Sequence, residues 1–182
     1  MTIVSQNSQS ALGISTPPSA VEQTQYLTFL VGKELFAFGI LGVREIIEYH
    51  GLTAVPMMPK AVRGVINLRG SVVPVVDLSA RFGRPPSDVT KRTCIVVVEL
   101  DLDGERQVVG VIVDAVNQVL DIPAHEIEPP PSFGSKIRSE LIQGMGKVDG
   151  KFVVLLDAER VLSIDQAAAV ADLGRRRAGA EP

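Results

Sequence analysis

Tryptophan is absent from the 182 residues, cysteine occurs once, histidine twice, and aromatic side chains make up only 4% of the chain. Each shortage closes off a class of explanation. A single cysteine, Cys94, cannot form a disulfide within the chain, which suits a reducing compartment. Lying in the apolar run 94–98, it reads as a small buried hydrophobe. His50 and His125 stand far apart and neither belongs to a spaced ligand pair, so zinc spacing is missing. There is no GxxxxGK[ST] or GxGxxG run to cradle a phosphate, and none of Ser71, Ser79 and Ser163 sits in GxSxG, so neither a cofactor nor an active serine is expected.

Charge and long apolar runs are scarce too. A net charge of −3 is too mild to capture nucleic acid or a membrane surface electrostatically. No stretch approaches the ~18 uninterrupted apolar residues of a membrane span, so direct membrane insertion is not expected. The first ten residues, MTIVSQNSQS, lack the basic start and apolar centre of a secretory signal. The expectation is a cytoplasmic protein.

What the chain does have is aliphatic residues in short runs. Apolar residues reach 46%, mostly valine, leucine and isoleucine, and the runs are punctuated by glycine, which argues for β structure. The stretch RGVINLRGSVVPVVDLSARFG at 63–83 organises the rest. Two apolar runs meet at Arg69-Gly70, and glycine between β-branched runs marks a hairpin because it enters positive φ without steric cost. Asp77 ends the β pattern and is placed to cap a short helical turn. Pro74 cannot donate to a ladder, so its strand is expected at a sheet edge or at a bulge.

The same punctuation returns. Gly64, Gly70 and Asp77 recur as Gly144, Gly150 and Asp157, each 80 positions on, and residues 42–48 are echoed at 115–121. This is the mark of an internal duplication, with a period too long for a solenoid. The duplication supplies its own control. Asp149-Gly150 is a good type I′ turn, whereas arginine is a poor choice for positive φ. Turn chemistry therefore leaves Arg69 unexplained, unless the first turn has a type II geometry.

In order, residues 1–23 read as a disordered tail, 24–165 as the folded domain, and 166–182 as a C-terminal helix or tail. The first copy is expected over about 24–83 and the second over about 92–165, with strand exchange between them allowed. Gly104 marks a further hairpin turn, 129–131 an extended proline run, and 136–143 a short helix. The total is about ten strands in two groups of five, each unit closed by a small helix, a pattern that favours small barrels.

Two duplicated aspartates, Asp77 and Asp157, suggest a shared-proton dyad and hence an aspartate-dependent hydrolase. The Asp-Thr/Ser-Gly loops of such enzymes are missing, and helix capping explains both residues without chemistry. A free-standing barrel that binds a small ligand is a further alternative.

With these residues in view, GVINLRGSVVPVVDL, preceded by Val55-Pro56-Met57-Met58-Pro59 and followed by Ser79-Ala80-Arg81-Phe82-Gly83, closely resembles the CheW family of chemotaxis coupling proteins. The resemblance runs from about residue 25 to 163. It implies two Src-homology-like barrels packed side by side, and a non-enzymatic adaptor joining chemoreceptor signalling tips to the regulatory domain of the histidine kinase CheA. It also implies a groove between the barrels that receives a receptor helix hairpin. Val43 and Glu45 fall where the family contacts partners, Gly64 and Arg69 lie in the coupling motif, and Asn67 is a weaker candidate. Glu45 and Arg69 stand out because their duplicates, Gln118 and Asp149, differ in chemistry. Gly70, Asp77, Gly104, Gly150 and Asp157 are read as turn and cap residues.

Overall fold

The computed structural model describes residues 24–102, 104–130 and 139–162. The two expected tails, Asp103, Pro131 and the first part of the helix expected at 136–143 lie outside the described residues. Among the described residues there are eleven strands, two short α-helical turns and three 3-10 turns; the strands and α-helical turns are β1 (Gln25–Val31), β2 (Glu34–Gly39), β3 (Val43–Glu48), β4 (Val62–Leu68), β5 (Ser71–Asp77), α1 (Leu78–Arg81), β6 (Cys94–Leu102), β7 (Glu105–Val113), β8 (Ala115–Asp121), β9 (Ile127–Glu128), β10 (Ile142–Val148), β11 (Lys151–Leu156) and α2 (158–162). Ser139–Leu141 forms only a 3-10 turn and Ile142 already begins β10, so the remainder of the expected helix is strand.

The strands form two sheets, in the orders β8-β1-β2-β11-β10-β9 and β3-β6-β7-β5-β4. Sheet 2 is thus one continuous piece of chain, 43–113, while sheet 1 is assembled from the segments on either side of it. Each sheet therefore takes strands from both copies. The edge strands of sheet 2, β3 and β4, are linked by the chain between them. The chain leaving β3 returns at Thr53, which exchanges two 2.9 Å backbone hydrogen bonds with Val65 of β4. Sheet 1 does the same when the chain leaving β8 pairs as β9 with Met145 and Gly146 of β10.

The duplication is visible in backbone detail. Register shifts fall between Val62 and Gly64 in β4 and between Ile142 and Gly144 in β10. The Asp77 amide donates to Ala61 O at 2.7 Å, and the Asp157 amide to Leu141 O at 3.0 Å, the same bond 80 positions on. Even the helical turns meet at duplicated positions, where Arg81 Nε donates to Val161 O at 3.0 Å.

The main core lies between the sheets. Phe29, Phe36 and Phe38 face Val96, Val98 and Val111 across it, and all are buried. Burying aliphatic and aromatic surface of this kind is the principal stabilising term. A smaller cluster fills each sheet, around Tyr26, Val153 and Leu155 in one and Val75, Ile95 and Ile112 in the other.

Of the two places expected for the Pro74 strand, a sheet edge or a bulge, the edge is wrong, and the irregularity in its ladder falls on the partner strand β4, between Val62 and Gly64. β5 is not an edge strand, since it lies between β7 and β4. Pro74 is tolerated because β7 pairs with β5 only over Val75, Val76 and Asp77, so no ladder bond is asked of the proline nitrogen on that side.

Candidate partner-docking site

The tip of the β4–β5 hairpin and the edge strand β3 bring together most of the residues singled out from sequence. At the tip, Arg69 has φ 51° and Gly70 φ 88°; at the equivalent tip Asp149 has φ 49° and Gly150 φ 77°. Positive φ at both central residues is the type I′ pattern, so the type II alternative is wrong for the first copy. The right-handed twist of the flanking strands imposes the same turn on both hairpins, and arginine accepts a conformation that L side chains with a Cβ seldom adopt. Asn67 steadies the turn: its Oδ1 accepts a 2.8 Å bond from the Gly70 amide.

Arg69 then reaches across the seam of sheet 2 to Glu45 on β3. Nη1 donates to Oε1 at 3.1 Å and Nη2 to Oε2 at 2.8 Å, a bidentate pair between residues 24 apart in sequence. The arginine side chain is 70% exposed and the glutamate 22%. The hydrogen bond from Arg69 holds the Glu45 carboxyl below the usual carboxylate range, against a smaller opposing effect of burial, and the same bond raises Arg69.

Gly64 is where the seam closes. A Cβ there would lie 2.5 Å from Thr53 O, so only glycine lets the returning chain pair with β4. Gly144 faces the equivalent crossing, with Ile127 Cγ2 at 2.5 Å. In both cases the need is close approach rather than positive φ. Val43 is half-buried against the main core. Along the seam an open groove of about 460 Å³ is lined by Ile47, Leu52, Ile66 and Ile95, with Glu48, His50 and Asn67 at its rim.

Asp77 does cap α1, accepting from the Ser79 amide at 3.0 Å. Its buried carboxylate also takes Arg63 Nη1 at 2.6 Å, the Ser87 amide at 2.9 Å and Ser87 Oγ at 3.0 Å. Sequence reasoning missed Arg63 and Ser87. The signal available was the replacement of Arg63 by Gln143 in the second copy. Asp157 is simpler, accepting from the Arg160 amide at 3.1 Å. Gly104, like Gly70 and Gly150, has positive φ, at 81°. Among the described residues no group of three or more His, Cys, Asp or Glu side chains is placed to hold a metal ion.

Comparison with known proteins agrees with this architecture. The CheW-like domain model matches residues 25–166. A probable chemotaxis protein CheW of Rhizobium etli is 36% identical over 139 residues, 76% of this chain and 87% of that protein. The chemotaxis protein CheW of Klebsiella aerogenes is 32% identical over 166 residues, 90% of this chain and 98% of that protein. Among solved structures, the scaffolding protein TtCheW from Thermoanaerobacter tengcongensis superposes with a TM-score of 0.69 at 31% identity, covering 81% of this chain and 93% of that one. With the duplicated sheets, the Asn-Leu-Arg-Gly hairpin and these matches in agreement, the chain belongs to the CheW family of chemotaxis coupling proteins.

Proposed function

We propose that the protein works without chemistry of its own, as the adaptor that joins chemoreceptor signalling tips to the regulatory domain of the kinase CheA, recruited from the cytoplasm to membrane receptor arrays. Glu45 and Arg69 carry the partner contact; Val43, Gly64 and Asn67 shape the surface that presents it. The observation that carries this reading is Arg69 itself. It occupies a strained turn position that Asp149 fills comfortably in the other copy, and its guanidinium is held on the outside of the molecule. Unusual backbone at an exposed arginine is what an interaction hot spot looks like. Exposed apolar residues recur at duplicated positions, Ile46 with Val119 and Val72 with Phe152, and supply further surface for docking.

An adaptor of this kind contributes affinity and geometry. Receptor movement changes the kinase because the complex binds one kinase conformation better than another. The hydrolase alternative gains no support: the Asp77 carboxylate is taken up by Arg63, Ser79 and Ser87, and that of Asp157 by its own helical turn.

The test is a titration against the CheA regulatory domain and a receptor-tip fragment, with Arg69→Ala beside the wild type. We expect binding by the wild type and a loss of about tenfold or more in the variant, with little change in melting temperature. Failure of the wild type to bind either partner across several cognate pairs overturns the reading.

A further inference from the structure

The pairing geometry of Arg69 says what a partner must bring. An arginine carries five N–H donors arranged as two forks, an end-on fork from Nη1 and Nη2 and a side-on fork that includes Nε. Glu45 takes the end-on fork, one oxygen on each Nη. The side-on edge is left, on a side chain that is 70% exposed. Holding the guanidinium by one carboxylate removes much of its rotamer freedom in advance, so a second carboxylate meets a prepared site. Val72, two positions past Gly70 and 73% exposed, stands beside the tip as apolar surface. The second copy has no such arrangement, with Asp149 at its tip and Gln118 on its strand.

We infer that Arg69, oriented by Glu45, receives a carboxylate of the docking partner on its free side-on edge, and that Glu45 is a positioning residue for that contact. The partner surface therefore carries an aspartate or glutamate next to an apolar patch that covers Val72. This inference rests on the adaptor reading for the identity of the partner, while the chemistry of the site stands on the geometry alone.

Two measurements test it. In the first, each surface aspartate and glutamate of the kinase regulatory domain and of the receptor-tip fragment is changed to its amide and titrated against wild type, Arg69→Ala, Arg69→Lys and Glu45→Ala. One amide substitution is expected to weaken wild-type binding about tenfold yet leave Arg69→Ala binding unchanged. Arg69→Lys, which keeps the charge and loses the fork, behaves like Arg69→Ala, and Glu45→Ala gives a smaller loss. Wild-type affinity in Arg69→Lys, or no acidic residue that couples to Arg69, overturns the inference and leaves the adaptor reading standing.

The second measurement needs no partner. N-acetylglutamate is added to the 15N-labelled protein and the arginine Nε–H resonances are followed. Arg69 is expected to shift most and to shift less in Glu45→Ala; an unmoved Arg69 resonance sinks the inference even if the chain binds the kinase. Conversely, a shifted Arg69 in a chain that binds neither kinase nor receptor keeps the carboxylate site and removes the adaptor reading.

Discussion

The two hairpin tips, Arg69-Gly70 and Asp149-Gly150, run through nearly the same backbone angles with opposite charge at the first position. Around them the copies diverge in the same direction. The seam of sheet 2 closes through one backbone bridge at Thr53 and the ion pair Glu45–Arg69, whereas that of sheet 1 closes through strand pairing of β9 with β10. Asp77 is buried and holds Arg63 of its own copy and Ser87 of the loop that follows it, while Asp157 is half-buried and meets only its own helical turn, through the Arg160 amide and the Arg160 side chain at 3.6 Å. Identical backbone with unlike side chains separates what the fold requires from what one copy has acquired. Turn, bulge and cap belong to the fold. Arg63, Arg69 and Glu45 belong to the first copy alone, and Ser87 to the loop that follows it.

Substitutions at paired positions probe that separation. The largest difference is expected at the aspartates. Asp77→Ala leaves Arg63 and Ser87 without their buried acceptor and costs about 3 kcal/mol, whereas Asp157→Ala removes a cap and costs about 1 kcal/mol. Urea unfolding of both variants gives the comparison, and equal losses would mean that the Arg63 pair adds nothing beyond capping. Next come the glycines. Gly64→Ala pushes a methyl group into the Thr53 carbonyl at 2.5 Å and should cost about 1–3 kcal/mol; Gly144→Ala meets the β-branch methyl of Ile127 at 2.5 Å and its nearest carbonyl, Glu128 O, only at 3.1 Å, and should cost somewhat less. A larger loss at Gly144 would reverse the assignment of the tighter crossing to sheet 2.

The smallest effects are at the tips. Arg69→Asn places a residue suited to positive φ in the same turn, so the melting temperature should hold or rise while partner binding falls. A clear drop in melting temperature would show the Glu45 pair to be a structural latch. The pH dependence of that pair has a defined sign. Glu45 titrates below its ordinary value in the folded protein, so its stabilisation is complete above the unfolded carboxyl pKa of about 4.3 and is lost as the pH falls through the folded value. Wild type and Glu45→Gln should therefore converge in stability in acid and diverge at neutral pH. Curves that run parallel throughout would leave the pair without a measurable part in folding.

Much of this molecule can be read from residue order because its signals are local. A glycine at positive φ, an aspartate accepting from an amide two or three residues on, and alternating valines each act within one turn or one strand. They locate the hairpins at Gly70, Gly104 and Gly150, the caps at Asp77 and Asp157, and, through the 80-residue offset, the duplication itself. The family motif marks Glu45 and Arg69 in the same way, as residue types in a pattern.

What those two residues do to each other lies outside any local rule. They meet because β3 and β4, at opposite edges of a five-stranded sheet, are linked by the chain between them, and that arrangement depends on a core gathered from the whole chain. The interior place of Pro74, the joining of the segments on either side of 43–113 into sheet 1, and the trapping of Asp77 by Arg63 and Ser87 arise likewise from packing between distant segments. Residue order determined the elements and their repetition; the tertiary structure decided which element lies beside which, because only burial of the shared core ranks the alternatives.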